Sequence, residues 1–162
     1  MSVTGKFGEE PYYPMVGFFF TLSFSKISSK IDSKFKEVSG IEMSLEFNSV
    51  TEGGDNGTQF NLPQKTTFSD LVLSRGLLAA QSDLTQWCYS WFLNDYSQKL
   101  QMKDVYLKLL NETGTPIMVW QFQQAYPSKM KISGFNSMAS GDAAILIETI
   151  TLKFANISVL KS

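Results

Sequence analysis

The chain has 162 residues, enough for one domain of ordinary size, and its 43% hydrophobic and 14% aromatic content supplies a substantial core. It has no histidine and a single cysteine, so a Ser-His-Asp triad, a Cys-His dyad, a histidine metal site and an internal disulfide are excluded by counting. Fourteen Lys and Arg against fifteen Asp and Glu leave a net charge of -1, without the bulk field that nucleic acid or an anionic membrane attracts.

The longest apolar stretch near the N-terminus, Met15 to Phe24, is broken by Gly17, Thr21 and Ser23 and follows Glu9 and Glu10. It is far shorter than the roughly 20 residues of a spanning helix, so neither a signal peptide nor a membrane insertion is expected. The Asn-x-Ser/Thr triplets at Asn56, Asn111 and Asn156 are then chance matches. The lone Cys88 suits a reduced, cytoplasmic folding environment.

Apolar residues recur at every second position in several runs, which predicts β-strands with one dry and one wet face. Phe20, Leu22 and Phe24 form the first such run, and Met43, Leu45 and Phe47, alternating with Glu42, Ser44 and Glu46, form the second. Asn48 to Gln64 reads as the longest irregular segment, followed by a shorter strand candidate at Thr67 to Ser74. One segment has a different period: Leu84, Trp87, Cys88, Trp91 and Phe92 follow the i, i+3, i+4, i+7, i+8 spacing of an amphipathic helix of about three turns. Asp83 is its expected cap, with Gln86 completing a capping box. Strand periodicity resumes at Val105, Leu107 and Leu109, at Met118, Trp120 and Phe122, and at Ile150, Leu152 and Phe154, with a shorter candidate at Lys129 to Phe135.

Alternation of this kind marks half-buried antiparallel sheets. The predicted fold is mainly β, a small antiparallel β-barrel or sandwich with one flanking α-helix packed over its end or face. No repeat, low-complexity stretch or linker divides the chain, so residues 1–162 read as one domain.

Candidate chemistry is sparse. Asp55, Asn56 and Gly57 present oxygen ligands beside a glycine but lack the spaced carboxylates and terminal Glu of a calcium loop. With Glu52, Gly53 and Gly54 they read as a turn or protruding arm. No Gly-Lys-Ser/Thr follows, so the glycines are not a phosphate cradle. Glu42 and Glu46 lie about 13 Å apart along a strand, too far for a glycosidase pair. Glu148 interrupts a hydrophobic run, as an outward-facing or interface-paired carboxylate in preference to a catalytic acid. Arg75, ending a strand, suits loop carbonyls or a neighbouring subunit. Cys88 has no histidine to activate it and reads as a small buried hydrophobe. Trp87, Trp91 and Trp120 read as core aromatics or, alternatively, as the lining of an apolar ligand pocket in a monomeric binding module. No catalytic residue, metal or cofactor is expected, and the chain does not read as an enzyme.

Taken in order, the pieces resemble the tail-tube proteins of contractile phages and related contractile injection systems, from about Gly17 to Leu160. The resemblance is carried by Val38-Ser39-Gly40-Ile41, Glu52-Gly53-Gly54-Asp55-Asn56, Leu62-Pro63, Leu73-Ser74-Arg75-Gly76 and Trp87. Leu109-Leu110-Asn111-Glu112 with Gly114 and Pro116, Trp120-Gln121-Phe122, Ala125-Tyr126-Pro127 and Ile147-Glu148-Thr149 complete it. Residues 1–16 match poorly. The resemblance implies a fold shared with the haemolysin-coregulated proteins of type VI secretion, hexameric rings stacked into a tube, and sheath and baseplate or spike proteins as partners. A cargo effector or DNA would pass through the lumen. Cytoplasmic assembly in a producing bacterium would precede incorporation into an extracellular particle, virion or secretion apparatus. It further implies an assembly arm over 48–64, with Glu52, Gly53, Gly54, Asp55, Asn56, Arg75 and Glu148 in contacts between subunits or rings, and Trp87, Trp91, Trp120, Phe122 and Pro127 in the core.

Overall fold

The computed structural model describes residues 19–24, 32–33, 35–51, 54, 59–77, 82–93, 99–134, 138, 140 and 145–160. The strands are β1 (Phe19–Ser23), β2 (Asp32–Ser33), β3 (Phe35–Ser39), β4 (Met43–Thr51), β5 (Gln59–Phe68) and β6 (Leu71–Gly76). After the helix α1 (Asp83–Phe92) come β7 (Lys103–Leu110), β8 (Pro116–Ile132), β9 (Ile147–Lys153) and β10 (Asn156–Leu160). All pairings are antiparallel, as the alternation predicts.

Eight strands form one sheet in the order β2-β1-β7-β8-β9-β6-β3, with β10 also on β8, while β4 and β5 form a sheet of their own. The large sheet coils so that β1, next to one end, and β3, at the other end, lie against each other. It does not close into a barrel among the described strands. The class is therefore the barrel-like sandwich, mainly β with one described helix.

Strand β8 is the spine. Its first part pairs with β7 and β10, and its second part with β9. Between them Gln124 takes φ 52°, a left-handed conformation that bulges the strand and bends it. Asp104 holds the bend: Oδ1 accepts from Gln124 N at 3.0 Å and Oδ2 from Gln121 Nε2 at 3.2 Å. The sequence reading of two separate strands here is corrected to one, because Pro127 sits beside a second bulge, between Pro127 and Lys129, and does not end the strand. Conversely, Thr67 to Ser74 is no single strand, since β5 ends at Phe68 and β6 begins at Leu71.

The core comprises Leu22, Leu71, Leu73, Val105, Leu107, Phe122, Ile150 and Leu152 from the sheet, with Leu84, Trp87 and Cys88 from α1. The helix begins one residue earlier than expected. Ser82 is its cap, its Oγ accepting from Thr85 N at 3.1 Å, because Ser82 precedes an Asp83 that is already helical. Trp87 stands edge-on to Phe24 with ring centroids 5.1 Å apart, and Trp87 and Trp91 both donate from Nε1 to the Gln101 carbonyl, at 3.0 and 3.2 Å. Of the expected core residues, Trp87, Phe122 and Pro127 are buried, while Trp91 and Trp120 are half-buried. Phe92, at the end of the predicted helical stripe, is exposed.

Candidate assembly surface

The hairpin β4–β5 leaves the domain at a corner built around Gly40. This glycine has φ +85°, and a Cβ placed on it would lie 1.8 Å from the Asp70 carbonyl oxygen, so the two chain crossings touch backbone to backbone. Ser69 N donates to Glu42 O at 3.1 Å, and Ser69 Oγ to Glu42 Oε2 at 3.1 Å, pinning the hairpin's base. Phe68 anchors it further, its ring 5.7 Å from that of Phe154.

Beyond this base the hairpin is uncovered. Every side chain from Glu42 to Val50 and from Asn61 to Thr66 is exposed. The alternation of Met43, Leu45 and Phe47 is real, but their common face is 55%, 47% and 57% exposed, so the expected dry face is not dry in the single subunit. Val50 and Leu62 add exposed apolar surface on the opposite face. Large apolar side chains grouped this way mark a surface that another chain covers. A two-stranded hairpin is also marginal in water without further packing.

The segment Asn48 to Gln64 is therefore largely strand, not irregular. Its alternation is weak because polar residues such as Asn48, Ser49, Asn61 and Gln64 occupy both faces of a ribbon with no core beneath it. At the tip, Gly54 has φ +139° with open space around it. Glu52, Gly53, Asp55 and Asn56 lie outside the described residues.

Arg75 and Glu148 come together, but inside the subunit. Arg75 Nε meets Glu148 Oε2 at 2.9 Å, both side chains being 1% exposed. Arg75 Nη2 donates to Ser82 Oγ and to Thr85 Oγ1, the latter at 2.6 Å, and Thr85 Oγ1 donates to Glu148 Oε1 at 3.3 Å. The guanidinium also lies 5.5 Å from the Phe35 ring centre. The network joins β3, β6, β9 and the first turn of α1, so Glu148, expected to face outward or to be paired at an interface, is paired inside its own subunit instead. A parity signal was present: Arg75 shares the dry register of Leu71 and Leu73, and Glu148 that of Ile150 and Leu152. Opposite charges on the dry positions of two strands ask to be paired.

A second surface feature was not legible. An open cleft of ≈ 500 Å³ lies between the end of α1 and the second part of β8, lined by Tyr89, Phe92, Leu93, Ser128, Lys129, Met130 and Ile132. None of the three tryptophans lines it.

The geometry is that of an interaction protein, with an uncovered hairpin and a stiff internal brace. Residues 16–158 match the family described as T4-like virus tail tube protein gp19. Among solved structures, a chain of the cryo-EM anti-feeding prophage baseplate is 26% identical with TM-score 0.72, over 92% of this chain and 97% of that one. A chain of the extended PVC sheath-tube complex, an extracellular contractile injection system, is 21% identical with TM-score 0.73, over 94% and 95%. Hcp1 of Salmonella typhimurium shares the fold at 13% identity and TM-score 0.51, over 86% and 83%. No curated protein sequence matches. With nearly the whole length matched, the chain belongs to the T4-like virus tail tube protein family.

Proposed function

We propose that copies of this tail tube protein close into hexameric rings through their β4–β5 hairpins and stack into the inner tube of a contractile, phage-tail-like particle. The observation that carries this reading is the exposed stripe Met43, Leu45 and Phe47, which a solitary subunit leaves in water. The half of each side chain that is still in water contributes on the order of 1 kcal/mol when covered, so a ring that covers all three in every subunit gains substantially on closing. A ring closed by one repeated head-to-tail contact leaves no subunit unpaired, and stacking of rings is a contact that propagates.

The role is structural and not catalytic. A sheath protein outside the tube and baseplate or spike proteins at its end are the proposed partners, in keeping with a 26% identical relative in a baseplate. Cargo effector or DNA passes through the lumen. Assembly takes place in the cytoplasm of the producing bacterium, before the tube becomes part of an extracellular particle. Within the arm, Glu52 to Asn56 reaches the neighbouring ring, while Arg75 and Glu148 act on assembly by holding the subunit's shape.

Electron microscopy of the purified chain, alone and with its baseplate proteins, tests this. Sixfold rings and stacked tubes are the expected result; monomers under all assembly conditions would refute it. Deleting Gly53 to Asn56 separates the arm's role, since unchanged tube length and yield would remove the tip from the inter-ring contact.

A further inference from the structure

The stripe Met43, Leu45 and Phe47 has one chemically reactive atom. Leu45 and Phe47 end in hydrocarbon, whereas Met43 brings a thioether sulfur on a side chain that is 55% exposed in the single subunit. A thioether has no proton to lose before it is oxidised, so it needs neither a lowered pKa nor a neighbouring base. The thiol that would compete for an oxidant, Cys88, is fully buried. Met102, Met118 and Met138 are exposed as well, but none of them lies on the hairpin, and Met130 is half-buried against the core. Among the described residues, Met43 is therefore the one exposed sulfur on the surface that a second copy covers.

Its surroundings decide what an added oxygen does. Register places Met43 opposite Phe68 of β5, with Leu45 two residues along on the same face. Neither side chain has a hydrogen-bond donor. Phe68 packs in turn against Phe154, where the hairpin meets the domain. A polar oxygen on the Met43 sulfur is hydrated while the subunit is alone. Once a second copy covers the stripe, it is stripped of water beside neighbours that offer it no donor. The modification therefore acts on association and leaves folding untouched.

We propose that Met43 is an oxidation site that controls assembly: its sulfoxide, formed on the free subunit by a peroxide, prevents ring closure, and closure in turn shields the sulfur. In the reaction a sulfur lone pair forms an S–O bond to one peroxide oxygen as the O–O bond breaks. The other oxygen leaves as hydroxide and takes up the proton carried over with the first, giving water. Sulfur is oxidised and the peroxide is reduced. Methionine sulfoxide reductases return the thioether, so the block is reversible. A ring closed by one repeated contact carries the modification at each contact, which multiplies its effect. The inference rests on the assembly role proposed above and adds the chemical state of the stripe that assembly requires.

Hydrogen peroxide treatment of the free chain before assembly tests it, with peptide mass spectrometry to locate each sulfoxide and electron microscopy to count rings. Ring yield is expected to fall several-fold as Met43 is oxidised, with the urea unfolding midpoint unchanged, and to recover after reduction by the reductases. For Met43→Leu, peroxide is expected to leave the yield where that variant's own untreated sample has it. A chain carrying Met102→Leu, Met118→Leu and Met138→Leu together is expected to stay as sensitive as wild type, and it decides the matter alone if Met43→Leu forms no rings. In preformed rings Met43 is expected to oxidise several-fold more slowly than in the free chain. Normal ring yield from a chain whose Met43 is fully converted to sulfoxide would overturn the inference while leaving the assembly role intact. Loss of rings with a lowered unfolding midpoint would also overturn it, by placing the damage at the half-buried Met130. Absence of rings from the untreated chain would instead remove the assembly role and this inference with it.

Discussion

Arg75 and Glu148, 73 residues apart in the chain, form an ion pair of 2.9 Å between side chains that are each 1% exposed. Desolvating two charges offsets much of their attraction, so the pair is a poor source of net stability but costly to break singly. Its geometry gives it a positioning role: the guanidinium ties the capping Ser82 and Thr85 of α1 to strands β6 and β9.

Glu148→Ala is accordingly expected to lower subunit stability by about 3–5 kcal/mol, since it leaves the guanidinium buried without its partner charge. Urea denaturation of wild type, Arg75→Ala, Glu148→Ala and the double variant measures this. The double variant is expected to lose less than the sum of the singles. Strict additivity would mean that the two groups do not act as one unit.

Gly40→Ala tests the corner from which the hairpin leaves. The added Cβ meets the Asp70 carbonyl and must adopt φ +85°, so the loss is expected to exceed about 1 kcal/mol. Gly114→Ala is the comparison: its φ of +80° carries the same backbone strain, but nothing lies within 4 Å of its added Cβ. Equal losses at the two positions would show that the close approach to Asp70 contributes nothing.

Trp87→Ala probes the core. The indole is 4% exposed, edge-on to Phe24 and hydrogen-bonded to Gln101, and its removal is expected to cost about 3–5 kcal/mol. Phe92→Ala, on the exposed end of the same helical stripe, is expected to fall within about 0.5–1 kcal/mol of wild type. Thermal unfolding of the two variants separates the packed part of the stripe from the part left for a partner.

The opposite signature is expected on the hairpin. Leu45→Ser with Phe47→Ser is expected to change subunit stability by no more than about 0.5 kcal/mol per site while abolishing rings and tubes. Sedimentation of the variant alongside its unfolding curve checks both halves. Wild-type assembly by the double variant would show that the stripe is not an assembly surface.

These contrasts explain what the sequence could disclose. Leu107, Leu152 and the helical Leu84, Trp87 and Cys88 were legible because each lies in a run whose period matches a face buried in its own subunit. Met43, Leu45 and Phe47 carry the same period, yet periodicity reports that a face will be covered and not which chain covers it. The outer part of the hairpin was missed as strand because a ribbon without a core beneath it has no reason to alternate. Strand β8 was divided because Gln124 and Pro127 interrupt its period at the bend, where tertiary pairing with β9 continues regardless. The Arg75–Glu148 brace left a parity signal in each strand, but pairing two strands that distant needs the topology.

The most direct measurement is a cryo-EM reconstruction of the assembled chain at a resolution that shows side chains. The account predicts sixfold rings in which Met43, Leu45 and Phe47 of each subunit are covered by a neighbouring copy and the Arg75–Glu148 pair stays enclosed within each subunit. Rings or tubes in which that stripe still faces solvent or the lumen would contradict it.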